Sequence, residues 1–88
     1  MQYVLVETCF AAPEQYDVYR GNAKVGSIRV RNGCLTAEAG LATVYDAAVK
    51  GDVRMTEGER YSQLMAALQA IHGHYGRAAG FAFHVQKS

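Results

Sequence analysis

The chain has 88 residues, of which 50% are hydrophobic and 19% are charged, and its formal net charge is +1 at pH 7. This is ordinary globular composition, and its single proline and lack of low-complexity tracts argue against long disordered segments. The length predicts one domain over residues 1–88 with one core. The near-neutral charge argues against a strongly basic nucleic-acid-binding domain, while a local basic patch stays open.

The sequence shows no targeting segment, membrane span or recognised catalytic motif. The first residues include no basic leader and no apolar run of membrane-spanning length, so we expect a cytoplasmic protein that does not contact membranes. Cys9 and Cys34 lack the Cys-x-x-Cys spacing of structural zinc sites, and we expect reduced thiols rather than a disulfide. Without a nucleotide-binding loop, serine elbow or zinc-protease motif, we predict no cofactor, no metal and no catalytic residue.

The N-terminal part predicts two strands. Tyr3–Phe10 is apolar on both alternating faces up to Glu7, which is typical of an interior strand covered on both sides. A proline-containing segment then breaks the pattern. Gln15–Arg20 follows as the second strand, with Tyr16 and Val18 on one face.

An Asn-Gly turn at positions 32 and 33 predicts a tight hairpin between the third strand, Lys24–Arg31, and the fourth, Cys34–Glu38. Gly26 indicates a bulge at which the side chains of the third strand change faces. The turn fixes the register and places on one face the core residues Ile28, Val30, Leu35 and Ala37. The opposite face then holds Ser27, Arg29, Arg31, Cys34, Thr36 and Glu38.

Leu41–Val49 fits both a helical stripe and a strand; its β-branched and aromatic centre favours a fifth strand. Thr56 and Glu59 have the capping-box spacing, which predicts that the main helix begins there. Its apolar stripe runs to a stop at Gly76 and consists of Tyr61, Leu64, Met65, Leu68, Ile71, His72 and Tyr75.

Beyond Gly80, alternating aromatic and polar residues predict a last strand that ends at Lys87. The predicted fold is therefore a small α+β domain. It has a mainly antiparallel sheet that begins as an N-terminal meander, one long amphipathic helix packed on a face, and a C-terminal strand.

The helix has no Asp, Glu, Lys or Arg between Tyr61 and Gly76. A solvated helix face normally has charged residues, so this uncharged face predicts an interface with a second subunit or another protein. The plain alternative is that small neutral residues are adequate solvated helix formers. The candidate interface residues are Ser62, Ala66, Gln69, Ala70 and Gly73.

A second candidate surface combines the arginines of the third strand with residues of the second. Guanidinium groups beside an aromatic ring can contact phosphates and stacked bases. The candidate anion or nucleic-acid contacts are Tyr19, Arg20, Arg29 and Arg31. The alternative is that these side chains simply line an exposed antiparallel strand.

Two weaker possibilities concern the histidines. His72 and His74 point about 200° apart on a helix, so they do not converge on a metal, and His72 on the apolar stripe fits a core histidine with one hydrogen bond. His84 fits an exposed strand position. A pocket lined by Tyr45, Tyr61 and His72 is the enzyme alternative, for which spacing assembles no acid–base pair.

The sequence favours a small non-enzymatic interaction module, expected to form a homodimer or to bind another protein. Its interface is expected on the uncharged helix face or on the sheet face that one helix leaves uncovered. The alternative is a nucleic-acid-binding domain that uses its basic sheet face.

Overall fold

The computed structural model describes residues 1–9, 12–77 and 80–87, which form six strands and one helix. The elements are β1 (Gln2–Cys9), β2 (Gln15–Arg20), β3 (Ala23–Arg31), β4 (Cys34–Ala39), β5 (Ala42–Ala48), α1 (Glu57–His74) and β6 (Ala82–Lys87). All predicted elements are present, including the ambiguous fifth strand, with ends shifted by no more than two residues. Phe10, predicted to end the first strand, lies outside the described residues.

The strands form one sheet in the order β5-β4-β3-β2-β1-β6. Strands β1 to β5 are antiparallel to their chain neighbours, and β6 is parallel to β1. Short connections can join antiparallel strands, whereas a parallel strand needs a longer crossover, which here contains α1. The predicted fold class is confirmed, with one helix packed on a mainly antiparallel sheet.

The Asn-Gly turn sets the predicted register. Asn32 and Gly33 have φ angles of 54° and 72°, the left-handed conformation of a type I′ hairpin. Val30 lies opposite Leu35, and both are 0% exposed. The register predicted from the turn also pairs Arg31 with Cys34, Arg29 with Thr36 and Ile28 with Ala37, and all three pairs are present.

The predicted change of faces near Gly26 is also confirmed. Val18 lies opposite Gly26 and Tyr19 opposite Lys24, so Val25 is the extra residue of a bulge in β3. A Cβ atom at Gly26 would lie 2.4 Å from the Glu38 carbonyl oxygen. Glycine therefore lets β3 approach β4 closely at this point.

The helix begins as the capping pattern predicts. The Thr56 backbone N–H donates to the Glu59 carboxylate at 2.8 Å. At the other end Tyr75 caps the helix, and Gly76 follows with a φ angle of 72°. These contacts use backbone groups that the terminal turns leave unpaired.

Helix α1 covers one face of the sheet, which we call the helix-covered face; the other is the open face. The helix-covered face contains the core, formed with Leu64, Leu68 and Ile71 of the helix. Strand β1 is an interior strand, as predicted, and within the described part of the chain a helix covers only one of its two faces. Val4 and Val6 on the open face are half-buried.

Within the described ranges, no helix is long and apolar enough to cross a membrane.

We expect Gly26→Ala to destabilise the protein by about 1–3 kcal/mol, because the added methyl group must push β3 away from β4. The matched control is Gly58→Ala on α1, where a Cβ has nothing within 4 Å. Alanine is the better helix former, so this control should be neutral or stabilising by up to about 1 kcal/mol. Urea denaturation of both variants measures the difference, and equal stabilities would contradict the close approach at Gly26.

Candidate functional site

A buried charged cluster lies below the first turns of α1. Glu14 is 0% exposed, and its carboxylate accepts hydrogen bonds from the Met55 backbone N–H at 2.7 Å and from Arg60 Nε at 2.8 Å. The Tyr16 hydroxyl donates a short hydrogen bond to the same carboxylate. Arg60 also pairs with the exposed Glu57. One carboxylate thus joins β2, the segment before the helix, and the helix itself.

A second buried acid extends this cluster across the sheet. Glu7 is 3% exposed and pairs with Arg54 Nη2 at 3.0 Å and with Lys87 Nζ at 3.2 Å. These contacts connect β1 with β6 and with the segment before α1. Both buried carboxylates have cationic partners, as buried charges require.

The protonation states of the cluster follow from its contacts. Burial alone would raise the pKa of Glu14, but hydrogen bonds from Arg60, Tyr16 and Met55 outweigh burial and hold the pKa below its usual value. Burial and the neighbouring Glu14 carboxylate raise the pKa of Tyr16, so its phenol stays protonated and donates. A general acid needs the opposite shift, so the pKa of Glu14 does not favour its carboxyl group as a proton donor near neutral pH.

Sequence reasoning missed this cluster. Glu7 has the same parity as the buried Tyr3 and Leu5 of β1, and Glu14 has the same parity as Tyr16. Each glutamate therefore faces the core by simple alternation. Strand alternation could therefore have predicted that the two glutamates are buried. Their cationic partners are distant in sequence and could be identified only from the structure.

The two arginines of β3 lie together on the open face. With Ser27, Thr36 and Glu38 they line a depression of about 120 Å³, which we call the arginine hollow. Arg29 is half-buried and Arg31 is exposed. Cys34, opposite Arg31, has a free thiol; the Cys9 side chain is outside the described part of the chain.

The structure does not bring the other two candidate contacts to this hollow. Tyr19 pairs with Lys24, whereas Arg29 pairs with Gln15, so Tyr19 is about 13 Å away along β2. Arg20 alternates with Tyr19 and lies on the helix-covered side. Its charge opposes the effect of burial, which raises the pKa of Tyr3.

Two depressions lie along the boundary between α1 and β6, and we call them together the helix–β6 groove. One depression of about 250 Å³ is lined by Glu57, Tyr61, Phe83 and Val85. A second, of about 380 Å³, is lined by Gln69, His72, Gly73, Arg77 and Phe81. The first contains the exposed aromatic surface of the helix.

Tyr61 was predicted to face the core, but its side chain is 67% exposed. Its ring stacks on Phe83 with the ring centroids 5.6 Å apart. Val85, the next residue on the same side of β6, is 40% exposed. The rim of the groove is therefore apolar and open to solvent.

The five candidate interface residues lie on the outer side of α1, as predicted. Ser62, Gln69 and Gly73 are exposed, and Ala66 and Ala70 are half-buried. Gln69 and Gly73 also line the helix–β6 groove, so the uncharged face continues into it.

The histidines and tyrosines of the enzyme alternative are dispersed. His72 is buried with its Nδ1 2.7 Å from the Tyr3 hydroxyl, which confirms a hydrogen-bonded core histidine. The Tyr45 hydroxyl donates to Gln63 at 3.2 Å, away from the Tyr61–Phe83 stack. The exposed His84 contacts Gln2. Among residues 1–9, 12–77 and 80–87, no group of three metal-ligating side chains is present.

No protein-family model, curated protein or solved structure matches this chain.

We expect Glu14→Gln to destabilise the protein by about 3–5 kcal/mol, because it leaves Arg60 without its buried anionic partner. Glu57→Gln is the matched control, since Glu57 pairs with the same arginine but is exposed, and it should cost under about 1 kcal/mol. Urea denaturation at pH 7 measures both variants. Equal losses would contradict a central role for Glu14.

Stability should also depend on pH through Glu14. Because folding lowers its pKa, its contribution is fully present above the unfolded value of about 4.3 and is lost as the pH falls through the lower folded value. The free energy of unfolding should therefore fall between about pH 5 and pH 3, and less steeply in Glu14→Gln. The remaining slope should include Glu59, whose pKa is lowered by hydrogen bonds from Lys50 and Thr56.

Proposed function

We propose that this protein is a non-enzymatic interaction module that forms a homodimer through the helix–β6 groove. The observation that supports this proposal most directly is the solvent-exposed apolar rim formed by Tyr61, Phe83 and Val85. Exposed apolar surface of this kind beside polar residues is typical of protein interfaces.

Charge distribution along the helix supports the same surface. No formal charge occurs between Tyr61 and Gly76, and the centres of interfaces are depleted in charged residues. Charge is found at the two ends of the groove, with Glu57 paired to Arg60 at one end and Arg77 at the other. Arg77 forms no ion pair with the described residues.

A second copy fits this charge distribution. A twofold axis beside β6 makes the two copies antiparallel, so the Glu57 end of one groove meets the Arg77 end of the other. The same arrangement brings the two β6 strands side by side. Their outward backbone groups can then extend the sheet across the dimer.

The two edges of the sheet differ in a way that favours β6. Strand β5 has a bulge at Val44, because Ala37 lies opposite Tyr45 and Glu38 opposite Thr43. Bulges interrupt regular pairing and protect a sheet edge. Strand β6 runs beside β1 in unbroken register from Ala82 to Lys87 and has no such protection.

We expect light scattering to show a dimer that Val85→Glu weakens by roughly 100-fold or more, because an unpaired charge in an apolar interface costs at least about 3 kcal/mol. The control is Leu41→Glu, which replaces an apolar side chain that is 106% exposed in the β4–β5 turn, away from β6. It should remain dimeric. A wild-type monomer at every concentration would overturn the proposal.

Charge exchange tests the orientation of the two copies. We expect Glu57→Lys and Arg77→Glu each to weaken the homodimer, because each creates two like-charge contacts. Mixing the two variants should restore a dimer, since every end of the mixed pair then joins opposite charges. Analytical ultracentrifugation of the separate and mixed variants measures this. Failure of the mixture would exclude the antiparallel arrangement.

A second candidate function is nucleic-acid binding by the open face, favoured by the proximity of Arg29 and Arg31. Acidic Asp17 and Glu38 lie on the same face, so its support is weaker. On this hypothesis, labelled single-stranded RNA binds at low ionic strength, binding falls steeply with salt, and Ala at both arginines abolishes it. Absence of binding at low salt would end this alternative.

We place the module in the cytoplasm, with the free thiol of Cys34 as supporting evidence.

A further inference from the structure

The arginine hollow presents both signs of charge to one small space. Arg29 lies on β3 opposite Thr36 of β4, and the next pair on the same face is Ser27 opposite Glu38. The arginine and the carboxylate are thus diagonal neighbours on adjacent strands. Both line the depression of about 120 Å³.

These opposite charges do not pair with each other. Arg29 and Glu38 form no ion pair with any described residue, and Arg29 Nε is buried without a hydrogen-bond partner. The Ser27 hydroxyl donates to the Glu38 carboxylate at 3.5 Å. A partly desolvated guanidinium gains most from an anionic acceptor at its remaining nitrogens.

We infer that the arginine hollow binds a small amphoteric ligand that has an oxyanion next to an ammonium group. The oxyanion contacts Arg29 and Arg31, and the ammonium contacts Glu38, so each charge in the hollow receives its partner. Ser27 and Thr36 supply hydroxyls between the two ends. This site is distinct from the helix–β6 groove, which lies beside the opposite face of the sheet.

The size of the hollow limits the ligand. One water needs roughly 10–15 Å³ of cavity volume, so a depression of about 120 Å³ has room for a phosphate or carboxylate with a short carbon chain. An adjoining depression of about 350 Å³ shares Ser27, Arg29 and Glu38 and extends to Asp17 and Lys24. Those last two side chains already pair with each other at 3.1 Å, so the free charges stay in the hollow.

The test compares ligands that differ only in the ammonium group. O-Phosphoethanolamine and ethyl phosphate form the phosphate pair, and β-alanine and propionate form the carboxylate pair. NMR titration should show that each ammonium compound binds roughly tenfold more tightly than its partner, the value of one charge-assisted contact. The pair that binds with the higher affinity shows whether the hollow prefers a phosphate or a carboxylate.

Variants assign the two ends of the ligand. Arg29→Gln should abolish binding of all four probes, and the exposed Arg31→Gln should weaken it if Arg29→Gln fails to fold. Glu38→Gln should remove the difference within each pair while the oxyanion still binds. Glu57→Gln, which changes an exposed acid on α1, and Arg20→Gln, which changes an arginine on the other face, should leave binding unchanged.

Three results would overturn the inference. The first is that no probe binds at a concentration of about 50 mM, which is 50-fold above a dissociation constant of about 1 mM. The second is that the two probes of each pair bind equally tightly. The third is that the difference in affinity within a pair is unchanged in Glu38→Gln. RNA binding that needs both arginines but not Glu38 would favour a nucleic-acid surface instead. Val85→Glu should bind the probes like the wild type, so the failure of the dimer and the failure of this site are separable.

Discussion

The position of the helix depends on one buried carboxylate. Glu14 is 0% exposed, and a carboxylate at such a site is tolerated only when donors surround it. Those donors come from three places in the chain, namely Tyr16 of β2, Met55 before the helix and Arg60 within it. The backbone of Glu14 adds bonds to Val53 and Val30 at 2.8 and 2.9 Å. Folding therefore satisfies Glu14 only when strand, loop and helix meet in this arrangement.

The helix–β6 groove results from the position in which the Glu14 contacts hold α1 on the sheet. Helix α1 lies closest to β4 and β5, where the inward residues Ala37 and Ala39 are small. At the opposite edge of the sheet the inward residues include the aromatic Tyr3 of β1 and Phe83 of β6, and the Phe83 ring stacks on Tyr61. Because α1 packs closely against β4 and β5, the boundary between α1 and β6 is left open. The helix–β6 groove is thus a consequence of side-chain size across the sheet.

Local rules predicted most of the fold because its turns and strands obey them independently. Asn32 and Gly33 fix a register by backbone conformation alone, and Gly26 marks a bulge for the same reason. The capping role of Glu59 needs only four residues of context.

Pairing between distant segments could not be predicted in this way. Nothing local indicates that Arg60 reaches Glu14, 46 residues away. The exposure of Tyr61 also depends on where β6 joins the sheet. The apolar stripe of a helix does not specify how much of the stripe the sheet buries. For the candidate site, the hairpin register correctly placed Arg29 and Arg31 together. Joining them with Tyr19 and Arg20 failed, because the position along a strand and the side-chain parity separate those residues.

The two faces of the sheet treat charge differently, and the degree of burial explains why. Below the helix, Glu7 and Glu14 are almost inaccessible to water, so the fold supplies a cation to each. On the open face, Arg29 and Glu38 keep partial contact with water and can remain apart at lower cost. Charges that the fold has not paired internally are the ones available for recognition. This asymmetry supports self-association along the edge of the helix-covered face and small-ligand binding on the open one.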